Sequence, residues 1–144
     1  MTRRPPLCPS VLSVVSFLLL SGVAHAQGPQ EWLKRILDPA KLGVTPPAGA
    51  VMNRKLTVDY LSKADPPTEI AIYMLPVDQL KAASDHFKTT LRVQPKITGS
   101  GAYEIQRFEV TSGKAKGLTI TLTRSPYVDN KLQLMMEYLP GKGG

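Results

Sequence analysis

The residue types that most often carry out chemistry are sparse in this 144-residue chain. It has two histidines, His25 and His86, and a single cysteine, Cys8. A zinc site needs several Cys, His or carboxylate ligands close together, and His86 is the only histidine after residue 26. On a predicted helix its spacing places it off the apolar stripe, exposed or at the edge. We therefore predict no metal site and no cofactor.

Serine and carboxylate side chains form no recognisable catalytic arrangement. A Ser–His–Asp set could be drawn from Ser84, Ser100 or Ser125, but none lies in a G-x-S-x-G sequence. The glycine-rich stretch 99–101 lacks the lysine of a phosphate-binding loop. Six carboxylates could act as acid–base groups: Asp59, Asp65, Glu69, Glu104, Glu109 and Glu137. No closely spaced pair, as a glycosidase needs, can be located among them. We predict no catalytic residue, and an enzyme is the less favoured class.

The tyrosines give a weak indication of binding. Tyr60, Tyr73, Tyr103, Tyr127 and Tyr138 are spread over the predicted strands and a hairpin turn. Tyrosines on a sheet face could line a shallow site for a ligand or a peptide. The alternative is that they are amphipathic residues at the edge of the core, which is the commoner behaviour of tyrosine.

The N-terminus has the pattern of a secretory signal peptide. Arg3 and Arg4 precede the apolar run Val11–Leu20, and residues 23–26 end in an A-x-A pattern. The apolar run is shorter than the roughly 20 residues that a spanning helix needs. We therefore expect cleavage after Ala26 rather than a retained anchor. The expected location is the periplasm or the extracellular space, with no stable membrane span in the mature chain.

Cleavage would leave 118 of the 144 residues, enough for one domain. Removal of Cys8 leaves no disulfide, so stability must come from a hydrophobic core, which suits a bacterial periplasm. Arg3 and Arg4 are two of the 18 basic residues, so 16 remain against 11 acidic ones, a net charge of +5. The favoured interpretation is a soluble surface with a basic bias. The alternative is a moderate attraction to acidic partners, such as anionic lipid headgroups or an acidic envelope polymer. The export signal and the lack of a binding motif argue against nucleic acid.

A hairpin within residues 117–139 is predicted to form the centre of the fold. The run 118–123 alternates three aliphatic residues with Thr119, Thr121 and Thr123. Period two places the aliphatic side chains on one face and the threonines on the other. The run after the turn repeats the alternation. We expect the aliphatic face in the core and the threonine face in water.

The remaining periodicity places the other elements around this hairpin. We predict strands at Lys55–Leu61, Glu69–Leu75 and Tyr103–Val110, the last with a bulge where its apolar phase changes. The main amphipathic helix is predicted at Val77–Leu91. With a short N-terminal helix, the order is α-β-β-α-β-β-β. The fold class is therefore α+β, a mostly antiparallel sheet of about five strands with one main amphipathic helix packed on it.

Composition also suggests how the chain is divided. The predicted parts are a cleaved signal peptide (1–26), a short N-terminal helix and Pro/Gly-rich connector (27–53), an α+β domain (54–140) and a flexible tail (141–144). Trp32 lies on the short helix, which either packs on its own domain or docks a partner. The predicted partner contact combines Trp32 with the threonine face: Thr119, Thr121 and Thr123.

One resemblance covers most of the mature chain. Residues 47–50 (PAGA), followed by a strand, the main helix ending in Phe87 and the late strand 118–122 (LTITL), resemble a broad group of small exported bacterial proteins of uncharacterised function. This chain has an extra strand before the helix. The resemblance implies an α+β domain of the export compartment and carries over no functional residue.

Two functions from different classes follow. The favoured hypothesis is a non-enzymatic binding or interaction module of the cell envelope, with an unknown envelope protein or acidic envelope polymer as partner. The alternative is a small-ligand-binding or hydrolytic domain with a pocket between helix and sheet, which predicts a concave cavity with convergent polar groups. A structural or assembly factor is a third hypothesis.

Overall fold

The computed structural model describes residues 29–141. The predicted signal peptide and its cleavage site after Ala26 lie outside these residues, as do the last three residues of the predicted tail. The chain divides into two compact units, and the second begins at Arg35. In the first, helix α1 (Pro29–Lys34) carries Trp32. Between residues 29 and 141, no helix is both long and apolar enough to cross a membrane.

The second unit is built on a six-stranded antiparallel sheet. Its strands are β1 (Val51–Met52), β2 (Glu69–Pro76), β3 (Lys96–Thr98), β4 (Ile105–Glu109), β5 (Leu118–Arg124) and β6 (Lys131–Tyr138). Its α-helices are α2 (Arg54–Leu61) and α3 (Leu80–Leu91), and 3-10 turns lie at Pro39–Leu42, Val77–Gln79 and Gly101–Tyr103. The strand order is β1-β2-β6-β5-β4-β3. The α+β class and the antiparallel sheet are confirmed, whereas the predicted strand count and element order are not.

Helix α3 covers one face of this sheet, called the core face. Phe87 and Ala83 on α3 are fully buried, and the Phe87 and Phe108 ring centroids lie 5.7 Å apart. The hairpin contributes Ile120 and Leu134 to the same cluster. Burying one such side chain stabilises the fold by about 1.5–3 kcal/mol. The predicted packing of the main helix on the hairpin is confirmed.

The opposite face, called the threonine face, is partly covered by α2. The predicted strand Lys55–Leu61 is wrong, because these residues form this helix. Its start is fixed by Asn53, whose side chain accepts a hydrogen bond of 3.0 Å from the Leu56 N–H. Leu56 and Leu61 are buried, as are Ile70 and Ile72 on the threonine face of β2. A short apolar run fits both the strand period and the helix period, and here the Asn53 N-cap favours the helix.

Backbone and side-chain groups together cover the outer edge of β2. Ile70 exchanges two backbone hydrogen bonds with residues 35–37, of 2.9 and 3.1 Å. The Ile72 carbonyl accepts from the Asn53 N–H at 2.8 Å, and the Ile72 N–H donates to the Thr57 hydroxyl at 3.0 Å. Strand β1 pairs with Tyr73 and Met74 of β2. Thr57 therefore provides the acceptor that a neighbouring strand would otherwise supply.

The predicted bulge within Tyr103–Val110 is also wrong. Strand β4 pairs with β5 residue by residue without interruption. Tyr103 lies in a 3-10 turn before the strand, with 83% of its surface exposed. The strand itself buries Gln106 and Phe108 on the core face. The apparent change of phase has two sources: Tyr103 lies before the strand, and Ile105 is an apolar residue on the exposed side of the strand, opposite to Phe108.

The first part of the predicted connector belongs to the core. Leu37, Leu42 and Val44 are buried in the cluster beneath α3. Asp38 caps the 3-10 turn that follows it, and Gly43 ends that turn with a positive φ of 72°. The compact unit thus extends further toward the N-terminus than the strand pattern alone indicates.

Candidate binding cleft

Two of the residues considered for chemistry, His86 and Ser84, occupy structural positions on α3. The His86 Nε2 atom lies 2.7 Å from the Thr45 carbonyl oxygen, and the His86 ring meets Phe87 edge-on. This bond ties the segment before β1 to α3. The Ser84 Oγ is buried, without a hydrogen-bond partner in the described chain. Among residues 29–141, no group of three or more His, Cys, Asp or Glu side chains could hold a metal ion.

Several predicted acid–base candidates are engaged with neighbouring side chains. The contacts are Asp59 with Lys63, Glu69 with Lys41, and Glu104 with Gln106. Glu137 differs, because it is half-buried on the threonine face. Within the part of the chain that the structure describes, no cation lies within ion-pair distance of its carboxylate.

Glu137 lines the largest of the surface cavities described here. This cavity, called the tyrosine cleft, has a volume of about 420 Å³. Helix α2 and the residues after it form one wall, the turn between β5 and β6 forms another, and β2 and β6 form the floor. The lining residues are Tyr60, Lys63, Ala64, Ile70, Tyr127 and Glu137.

Arg35 holds the wall that follows α2. Its guanidinium donates hydrogen bonds of 3.1–3.3 Å to the backbone carbonyls of Leu61, Ala64 and Thr68. A planar guanidinium suits several acceptors at once because its donors are fixed in one plane. This contact spans the last residue of α2 and the turn that carries Lys63, so it sets the position of that wall.

The opposite wall is the turn at residues 125–130. The Ser125 hydroxyl accepts hydrogen bonds from the N–H groups of Tyr127 and Val128, both at 3.1 Å. Asn130 has a positive φ of 57°, and its carbonyl accepts from the Val77 N–H at 3.1 Å. Asparagine tolerates this conformation better than most residues. Local bonds thus fix the backbone from which Tyr127 extends.

The two tyrosines meet across the cleft. Interaction with the Tyr60 side chain raises the pKa of Tyr127 above its ordinary value. Lys63 opposes the rise, whereas Asp59 adds to it. Because 64% of the Tyr127 surface is exposed, its ring remains accessible to a ligand.

Two further hollows share lining residues with the tyrosine cleft or with each other. The second hollow, of about 140 Å³, shares Glu137 with the cleft and reaches Arg107 and Thr119. The third hollow, of about 190 Å³, shares Thr119 and Gly117 with the second and ends beside Glu109. The three are called the groove. Ile70, Glu137, Thr119 and Glu109 are cross-strand neighbours, so the groove follows one row of the sheet.

The residues predicted for the partner contact are distributed unevenly. Thr119 is buried, with 5% exposed, and Thr121 and Thr123 are half-buried. The expectation that this face is open to water is therefore wrong for Thr119. Its short side chain lies between Glu137 and Glu109 on the neighbouring strands, which shield it. Thr119 still lines the groove, whereas Trp32 belongs to the other unit.

The interface between α3 and the sheet is filled. A hollow of about 210 Å³ lies at its edge, where Leu75 and Ala83 meet Pro47 and His86. Its lining is mostly apolar, and it holds neither a carboxylate nor a lysine. The alternative hypothesis of a pocket between the main helix and the sheet stays a prediction. The tyrosine cleft lies instead beside the shorter helix α2, whose residues the sequence pattern assigns to a strand.

Comparison with protein-family models, with curated proteins and with solved structures finds no match for this chain.

Proposed function

We propose that the protein is a non-enzymatic binding module of the bacterial cell envelope, and that the tyrosine cleft is its binding site. The observation that carries this proposal is the composition of the cleft. Two tyrosine rings and the Ile70 side chain offer apolar contact, while Lys63 and Glu137 offer opposite charges. The volume of about 420 Å³ is within the roughly 300–1,000 Å³ typical of ligand pockets.

The envelope location is supported by the N-terminal sequence. The basic start, the short apolar run and the A-x-A pattern favour export. The resemblance to small exported bacterial proteins favours the same compartment. An envelope protein or an acidic envelope polymer is the partner that this location would offer. Trp32 and the threonine face remain proposed contacts, with Thr119 acting through the groove.

Binding of a small ligand is the second candidate, because the cleft is also large enough for one. We favour binding over hydrolysis in either case. The described lining of the cleft contains one carboxylate and no serine, histidine or cysteine. Hydrolysis by general acid–base catalysis ordinarily uses a second positioned group.

Photo-crosslinking in the cells that produce the protein tests this proposal. A benzoylphenylalanine replaces either Tyr127, in the cleft, or Tyr103, an exposed tyrosine outside it. We expect a discrete adduct from position 127 only. It should disappear when Ala64→Phe narrows the cleft. This substitution should keep the Arg35 contact, because Ala64 contributes its backbone carbonyl rather than its side chain.

The same adduct from both positions would contradict the proposal, as would an adduct from position 127 that persists with Ala64→Phe. Circular dichroism of the purified Ala64→Phe variant provides the folding control. If that variant is unfolded, Lys63→Glu is used in its place. Lys63 is an exposed residue of the cleft lining, so its substitution should leave the backbone unchanged.

A further inference from the structure

The groove has the length of a short extended peptide. Its three hollows lie along one row of side chains that crosses from β2 to β4. Neighbouring strands lie about 4.8 Å apart, so three steps span about 14 Å, and an extended chain advancing about 3.3 Å per residue covers this with about four residues. A compact small ligand would fill the tyrosine cleft alone.

Glu137 occupies the junction of this groove. Its carboxylate borders both the tyrosine cleft and the second hollow. It is half-buried and has no ion-pair partner within residues 29–141. A partly desolvated carboxylate is stabilised by a cation that donates hydrogen bonds to it. The Glu137 carboxylate therefore lacks a direct cationic partner among the described residues, and a ligand could bring one.

The other charged groups near Glu137 form no ion pair with it in the described part of the chain. Lys63 is exposed and lies 3.4 Å from the Asp59 carboxylate, so its charge is already partnered. Arg107 lines the second hollow from an exposed position on β4. Glu109 and Lys116 flank the third hollow and oppose each other in sign. The net positive charge of the whole protein is screened beyond about 8 Å at physiological salt.

The tyrosines define what lies beside the cation. Tyr60 and Tyr127 both line the cleft beside Glu137. Tyrosine rings accept flat or apolar side chains and attract cations to their faces. A basic side chain at Glu137 with an aromatic neighbour in the cleft would satisfy both features.

We propose that the groove binds an extended polypeptide segment of about four residues, with a lysine or arginine side chain against Glu137 and an aromatic side chain against the rings of Tyr60 and Tyr127. This inference rests on the proposed binding function and specifies its ligand. It names an envelope polypeptide as the partner, rather than an acidic polymer.

Isothermal titration with capped tetrapeptides tests this ligand class. The probes are acetyl-Ala-Lys-Tyr-Ala-amide and its analogues with norleucine or glutamate in place of lysine. The wild-type protein should bind the lysine peptide at least about tenfold more tightly than either analogue, as expected for one charge-assisted contact. Glu137→Gln should remove this preference, and Glu137→Lys should transfer it to the glutamate peptide.

Asp78→Asn is the matched control, because Asp78 is an exposed carboxylate outside the groove lining. It changes the net charge as Glu137→Gln does and should leave the preference intact. Equal loss with both variants, equal binding of the three peptides, or no binding by the wild type at millimolar peptide would each overturn the inference. If butylammonium bound as tightly as the lysine peptide, the inference that the ligand is a peptide would be overturned.

The two proposals can fail separately. A Tyr127-specific crosslink together with peptide binding that is insensitive to Glu137 would retain the tyrosine cleft as the binding site and reject the cationic peptide. Absence of the crosslink would reject the binding site itself. Amide NMR spectra of each Glu137 variant show whether it retains the fold, and a folded variant with unchanged selectivity counts against the inference.

Discussion

Replacing Thr57 by valine should loosen the wall of the tyrosine cleft. The Thr57 hydroxyl is fully buried, accepts a hydrogen bond of 3.0 Å from the Ile72 N–H and donates one of 2.8 Å to the Asn53 carbonyl. Valine has nearly the same shape, so Thr57→Val creates no cavity. It leaves the Ile72 N–H on the edge of β2 without an acceptor.

The expected loss follows from that orphaned donor. A buried group deprived of its hydrogen-bond partner costs about 1–3 kcal/mol. For a domain of this size, the loss corresponds to a fall in Tm of about 4–15 °C. Urea unfolding followed by circular dichroism measures the free energy directly. Hydrogen exchange at the Ile72 amide supplies the local measurement and should accelerate in Thr57→Val.

A second threonine provides the control for this substitution. Thr121 is half-buried on β5, and no described hydrogen bond involves its hydroxyl. Thr121→Val should change the free energy of unfolding by less than about 0.5 kcal/mol. If Thr57→Val were equally neutral, or if the Ile72 amide exchanged at its wild-type rate, the hydroxyl would not be what joins α2 to β2.

Three further substitutions test the walls and turns of the fold. Arg35→Gln should destabilise the unit by about 1.5–3 kcal/mol, because three backbone carbonyls lose a charged donor; a loss below about 0.5 kcal/mol in urea would contradict this. Tyr60→Phe should lower the pH at which Tyr127 ionises, since it removes the interaction with the Tyr60 hydroxyl that raises the pKa of Tyr127. The stabilisation from that raised pKa is present below the unfolded value and disappears as the pH rises through the folded one. Ultraviolet difference titration measures this, and an unchanged midpoint would refute the contact. Gly99→Ala should destabilise more than Gly113→Ala; both have positive φ, but only at Gly99 would the new Cβ clash with a backbone carbonyl oxygen, that of Tyr103. Equal losses in urea unfolding would show that the turn at Gly99 relaxes.

The central hairpin and the main helix can be predicted from the sequence because the apolar periodicity of each repeats several times along the chain. Alternation over residues 118–123 specifies a strand, and the stripe through Phe87 specifies a helix. Strand β2 is apolar on both faces, and the structure covers both, as expected. Long periodic segments carry their own structural signal, whereas β1 and β3 have two and three residues and depend on pairing with neighbours.

Helix α2 shows why the rest could not be read. Its eight residues alternate like a strand, and the competing signal is the Asn53 N-cap, a single residue. Once Tyr60 is placed on a strand, its contact with Tyr127 cannot be foreseen. That contact also depends on how the turn at 125–130 is held over the sheet. The sequence indicates a shallow tyrosine site only as the less favoured alternative to residues at the core edge, because the meeting of Tyr60 and Tyr127 is a tertiary feature.

Mapping small-molecule fragments on the surface by amide NMR tests the central claim most directly, because it assumes nothing about the ligand. The claim is that the tyrosine cleft is the binding site. Fragments should shift the amides of Tyr60, Lys63 and Tyr127 together. The amides around the hollow beside His86 should not shift. Fragments that collect at His86 and leave the amides of the tyrosine cleft unmoved would contradict the account.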